Sequence, residues 1–141
     1  MNTRTLLAAL AAFVVAFLLG WVIYGMVLKS YMDAHTTPKA MEIMKTSPNL
    51  IYLLAGNLVY GVFLAWVIAR MGATSAMGGF MAGLVLMGLI TLSYDLMYYG
   101  LADMYTGRMP VLVDVVASAI LGGIAGAAAG GVLGMGSKPA A

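Results

Sequence analysis

Four long apolar runs divide the chain. Leu6 to Leu28 carries no charge over about 23 residues, enough to cross a ~30 Å hydrocarbon core as a single helix. A cleavable leader would instead have an apolar stretch of ~7–15 residues before a small-x-small site, and this run fits neither feature. Leu50 to Ala69 is a second run, closed by Arg70; Ala76 to Leu101 is a third, interrupted only by Asp95; Val111 to Met135 is a fourth, with Asp114 near its start. No proline falls inside a run. Pro48 and Pro110 stand just ahead of the second and fourth, where a missing N–H costs least. The pattern predicts an all-α, antiparallel four-helix transmembrane bundle. It forms one integral membrane domain over residues 1–141, with spans at about 6–28, 50–69, 76–101 and 111–135.

The connections differ in kind. Residues 70–75 and 102–110 are tight, so spans two, three and four are expected to be sequential antiparallel neighbours. The longer segment from Lys29 to Asn49 holds most of the charge. Within it Thr37-Pro38 reads as a helix start, and Ala40, Met41 and Met44 share one face. A short amphipathic helix over 38–46, lying on the membrane surface, is expected there. Tyr24-Gly25 with Tyr31 after span one resembles Tyr99-Gly100 with Tyr105 after span three, as two repeated helical hairpins would.

Composition agrees with the span pattern. The chain is 63% hydrophobic and 9% charged, with mean hydropathy +1.00, whereas a soluble domain is roughly 45–50% apolar. A net charge of +2 spread over short loops makes no nucleic-acid footprint. The absence of cysteine excludes disulfides, thiol chemistry and thiolate metal sites, and the single His35 argues against a histidine metal centre. The 13 methionines include the soft-ligand pair Met41 and Met44, but their scatter over every span reads as apolar filling. No phosphate loop, nucleophile triad or zinc-protease motif occurs, so neither an enzyme nor a cofactor is expected.

Polar groups inside lipid are costly and call for an explanation. Asp95 lies about six residues before the end of span three, some 9 Å deep at ~1.5 Å per residue. Asp114 lies near 6 Å deep, about four residues into span four on the same reckoning. Asn57 on span two and Tyr24 on span one reach the same leaflet. Thr91, Asp95, Tyr98 and Tyr99 form a stripe on span three, and Asp114 and Ser118 begin a row on span four. The expected ligand-binding set is Asp95, Asp114, Asn57, Tyr24, Tyr98 and Tyr99, facing a half-buried cavity on the side of the long connection. The blander alternative leaves both aspartates near the interface, satisfied by phenols, Arg108, Lys29 or water. Span four also carries Gly122, Gly126, Gly130 and Gly134 at four-residue steps, a surface for close helix packing. That surface meets either another span of the same chain or, in a homodimer or larger membrane complex, a second protein.

Leu19-Gly20-Trp21-Val22-Ile23-Tyr24-Gly25, together with Met104-Tyr105-Thr106-Gly107-Arg108 through Asp114, resembles segments of a family of small bacterial four-span membrane proteins grouped under a domain of unknown function. The likeness extends over nearly the whole chain in span order and length, though Asp95 has no matching position. The resemblance implies the fold and a bacterial cytoplasmic membrane, and no reaction. For orientation, Arg4, Arg70 and Lys138 stand on the side of the termini, against Lys29, Lys39, Lys45 and Arg108 opposite. Arg4 beside the first span places both termini in the cytoplasm. The functional expectation is a non-enzymatic multi-pass protein whose polar cavity binds or passes a small solute, proton or cation. The alternative is an accessory subunit docking on a larger complex through its glycine face.

Overall fold

The computed structural model describes residues 2–135, so Lys138, counted above for orientation, lies outside the described residues. Four helices are long and apolar enough to cross a membrane, and the protein is a multi-pass membrane protein. Helix α1 (Thr3–Val22) runs into a π-helical segment, Ile23–Val27, and together they form the first span. Two short helices follow, α2 (Lys29–His35) and α3 (Pro38–Ile43), and then the spans α4 (Leu50–Arg70), α5 (Ala76–Leu101) and α6 (Met109–Gly134).

Local chemistry sets these boundaries. The Asn2 side chain accepts from the Thr5 N–H at 2.9 Å and opens α1. Asn49 does the same for the Ile51 N–H at 3.1 Å in α4, and Ser75 for the Gly78 N–H at 3.0 Å in α5. Such caps matter more beside lipid, where water does not satisfy a free N–H. Pro110 occupies the first turn of α6. After α4 the chain turns at Gly72, whose φ of 69° is open to glycine without a side-chain clash. The outer faces of the spans carry exposed Leu10, Val14, Leu18, Val59, Val85, Leu89, Leu96, Val116 and Ile120, an apolar surface suited to acyl chains.

The interior is built from small residues. Ala8, Ala9, Ala12 and Ala16 of α1 meet Leu64, Ala65 and Ile68 of α4 and Ala125 and Ala129 of α6 in one buried cluster. Lipid gives helices no incentive to hide leucine from it, so close backbone packing drives their association. Gly61 admits α1: a methyl group there would stand 2.6 Å from the Ala9 carbonyl oxygen. The glycine row of α6 is used within the chain, against α5. A methyl on Gly126 would collide with the Gly79 carbonyl oxygen, one on Gly122 with Met87, one on Gly130 with the Ser75 carbonyl, and one on Gly134 with the Thr74 carbonyl.

Three sequence expectations change. Spans two and three are joined by the short Met71–Ser75 turn, yet α4 and α5 scarcely touch. Across the bundle the order is α4, α1, α6, α5: α1 packs on both α4 and α6, and α5 packs almost wholly on α6. The reason is that the small-residue face of α5 (Gly79, Ala82, Gly83) is spent on α6, leaving nothing of that kind for α4. The surface helix is also shorter than the expected 38–46, ending at Ile43, and α2 precedes it, an element the sequence reading did not assign. The first span, finally, carries a π-helical end that its apolar pattern does not signal.

Gly126→Leu is expected to destabilise the protein by ~1–3 kcal/mol or more, because backbone rather than a flexible side chain must move. Gly131, with nothing within 4 Å of an added methyl, is the internal control. Gly131→Ala should leave thermal stability in detergent unchanged or slightly raised. Equal melting behaviour of the two variants would contradict the packing described.

Candidate functional site

The π-helical segment closes with a bond from the Leu28 N–H to the Ile23 carbonyl at 2.7 Å, which adds one residue to a turn. Tyr24 stands in this turn and projects towards α6. Its hydroxyl donates to Asp114 Oδ1 at 2.6 Å and shares a 2.8 Å hydrogen bond with Ser118 Oγ one turn further on. Asp114 and Ser118 are four apart on α6 and so face the same way.

From α5, Asp95 enters the same space. It is only 8% exposed, and it lines the same cavity as Asp114. Asp95 Oδ2 is buried without any partner. Among the described residues the only ion pair is Lys29–Asp33, at 2.6 Å on the surface, so no lysine, arginine or histidine neutralises either Asp95 or Asp114. The expected help from Lys29 is therefore absent: Lys29 is one turn from Asp33 and is taken up there. Arg108 forms no ion pair either.

These groups line a cavity of about 530 Å³. Tyr24, Asp114 and Ser118 form one wall, Thr91 and Asp95 another, and Tyr94 and Tyr98 the outer rim. The Tyr94 and Tyr98 rings lie one turn apart with centroids 4.6 Å from each other. Met104 and Tyr105 close the end of the cavity from the α5–α6 connection.

That connection is pinned to the segment after span one. The Thr37 N–H donates to the Met104 carbonyl at 3.0 Å and the Thr106 N–H to the His35 carbonyl at 2.8 Å, a single antiparallel bridge pairing Thr36 with Tyr105. The Thr37 hydroxyl adds a 2.5 Å bond to the Asp103 carbonyl. His35 is itself set by a 2.8 Å contact from Nδ1 to the Tyr31 carbonyl and by stacking on the Tyr31 ring. The cavity thus lies at the end of the bundle bearing the long connection.

Of the six residues expected to bind ligand, Tyr24, Asp95, Asp114 and Tyr98 come together. Asn57 and Tyr99 do not. Asn57 turns back on its own helix, donating to the Leu53 carbonyl at 2.9 Å. It lines a second, mostly apolar cavity of about 840 Å³ between α1 and α4, on the other side of Tyr24. The separation follows from the helix order, since α4 sits beside α1, away from α5. Tyr99 shares the helical spacing of the Thr91–Asp95–Tyr98 stripe but lines neither cavity. Sequence reasoning passed over Tyr94 and Tyr105. Tyr94 had a signal, one turn before Tyr98; Tyr105 had none, because only the bridge to Thr36 brings it inward. The other buried polar atom without a partner among the described residues, the Tyr60 hydroxyl, packs against the alanine-rich core and lines neither of these cavities.

No family model, curated protein or solved structure matches the chain.

Tyr105 lies outside the spans, and its hydroxyl is pushed above its ordinary value by burial first, then by the charges of Asp114 and Asp95. In a spectrophotometric titration, the difference between wild type and Tyr105→Phe should show ionisation above pH ~10. Asp114→Asn removes one of the charges opposing phenolate formation and should move that midpoint down. A midpoint unmoved by Asp114→Asn would place Tyr105 away from the carboxyl pair.

Proposed function

We propose that the protein is a non-enzymatic membrane protein that binds a small cation, proton or polar solute in the cavity between α1, α5 and α6. The observation carrying this reading is the Asp95 carboxyl, buried, lining the same cavity as Asp114, and left with an oxygen that nothing among the described residues satisfies. A buried carboxyl oxygen without a partner is expensive, and a bound cation or proton relieves the cost. All the fixed charge at the cavity is of one sign, which favours a positively charged guest.

The entrance lies at the connection-bearing end. A solute entering from the other end would have to pass the alanine and glycine core, where burying a polar group unpaired costs roughly 2–7 kcal/mol. The reading is therefore of a binding site in one leaflet, reached from one side, and movement across the membrane would require a second conformation. The resemblance to small bacterial four-span proteins and the position of Arg4 support a bacterial cytoplasmic membrane with both termini inside. The accessory-subunit alternative rested on the glycine row of α6, and α5 occupies that row.

The test is cation-dependent thermal stabilisation of the purified full chain in detergent, compared in identical salts with Asp95→Asn and Asp114→Asn. A charged hydrogen-bonding partner contributes about 1.5–3 kcal/mol, so each substitution should weaken cation binding roughly ten- to hundredfold. Stabilisation of equal size in wild type and both variants would sink the proposal.

A further inference from the structure

The guest that suits this cavity is set by its walls as much as by its charge. An inorganic ion is held by close oxygen ligands, six to eight for a calcium ion. The oxygens here are partly committed and spread around a wide space: the Tyr24 hydroxyl already serves Asp114 and Ser118, which leaves the two carboxyl groups, Thr91 and the hydroxyls of Tyr94, Tyr98 and Tyr105. At about 530 Å³ the cavity is also many times larger than the ~30 Å³ share of one water. What fills its perimeter is aromatic. The side chains of Tyr24, Tyr94, Tyr98 and Tyr105 all line it, alongside the apolar Ile90 and Met104. The face of a phenol ring is electronegative, and several such faces around a carboxylate attract a diffuse positive charge that carries its own apolar substituents.

We propose that the cavity takes an organic ammonium ion, its positive charge beside the Asp95 and Asp114 carboxyl groups and its alkyl groups against the tyrosine rings. The assignment rests on the reading above, that the carboxyl pair binds a cation. Alkyl substituents make such an ion cheaper to dehydrate than a metal ion, which suits a site half within lipid. The shared chemistry is that of a substituted ammonium group, whether it belongs to a free amine or to the head of a lipid.

Tetraethylammonium chloride is the probe, titrated calorimetrically into the full chain in dodecyl maltoside, with sodium and calcium chloride run in parallel. One binding site is expected for tetraethylammonium, lost in Asp95→Asn. Tyr94 and Tyr98 are 59% and 42% exposed, so replacing them does not threaten the fold. Tyr98→Leu should weaken binding roughly tenfold, and Tyr98→Phe, which keeps the ring face, should change it little. Repeating the titration in nanodiscs separates the two sources. Weaker apparent affinity in phosphatidylcholine than in an uncharged glycosyldiacylglycerol, which lacks an ammonium group, assigns the site to a lipid head, and equal affinity assigns it to a free amine; each supports the ammonium chemistry. Binding of sodium or calcium that depends on Asp95, without binding of tetraethylammonium, overturns the ammonium assignment and leaves the cation site standing. No binding of any of the three overturns both. Tetraethylammonium binding that is indifferent to Tyr94→Leu and Tyr98→Leu overturns the role given to the rings.

Discussion

In lipid a leucine gains nothing by leaving the solvent for the protein interior, and so α5 and α6 are held by the nearness of their backbones. Gly79 and Gly83 on one helix and Gly122, Gly126 and Gly130 on the other remove the side chains that would keep the two apart. The rest of the arrangement follows from that contact. It fixes α5 on the far side of α6 from α4, it brings Asp95 against Asp114 at the other end of the same interface, and it leaves α1 to bridge α4 and α6 with its alanine stripe. The packed half and the polar half are thus two ends of one helix pair.

The division into halves explains how a charged site survives at such depth. Towards the terminal end, α5 and α6 approach too closely to admit anything. Towards the connections the glycines give way to Met87, Thr91 and Asp95 on α5 and to Ser118 and Asp114 on α6, and the helices no longer exclude a guest. The polar groups are then supported from a third direction by Tyr24, whose hydroxyl holds both members of the α6 row. Tyr24 also forms part of the wall of the larger apolar cavity beside α4, so a single ring separates a charged space from an oily one.

How much of this was legible in the sequence depends on the range of the interaction. Span positions were, because the lipid requirement acts on each residue alone and survives averaging over twenty of them; the predicted third span, Ala76 to Leu101, has the same limits as α5. The meeting of Asp95 and Asp114 was also readable, since a short hairpin equalises their depth. Which helix sits beside which was not, because loop length suggests neighbours and only the matching of small-residue faces decides them. Asn57 was misplaced for that reason. The π-helical turn at Ile23–Val27 and the bridge between Thr36 and Tyr105 left no local pattern at all, being settled by what the folded chain places opposite them.

The bridge has a consequence for the order of assembly. Thr37 and Asp103 are 66 residues apart, and Tyr24 and Asp114 are 90 apart, with three spans needed before the first of these partners meet and four before the second. During synthesis the first two spans can leave the ribosome and settle against each other long before either partner exists. The polar end of the bundle is therefore the last part to be completed. Until the fourth span arrives, Tyr24 has no acceptor on α6 and Asp95 faces no second carboxyl. A chain halted after its third span would hold neither the Tyr24 hydrogen bonds nor the wall of the cavity that α6 supplies.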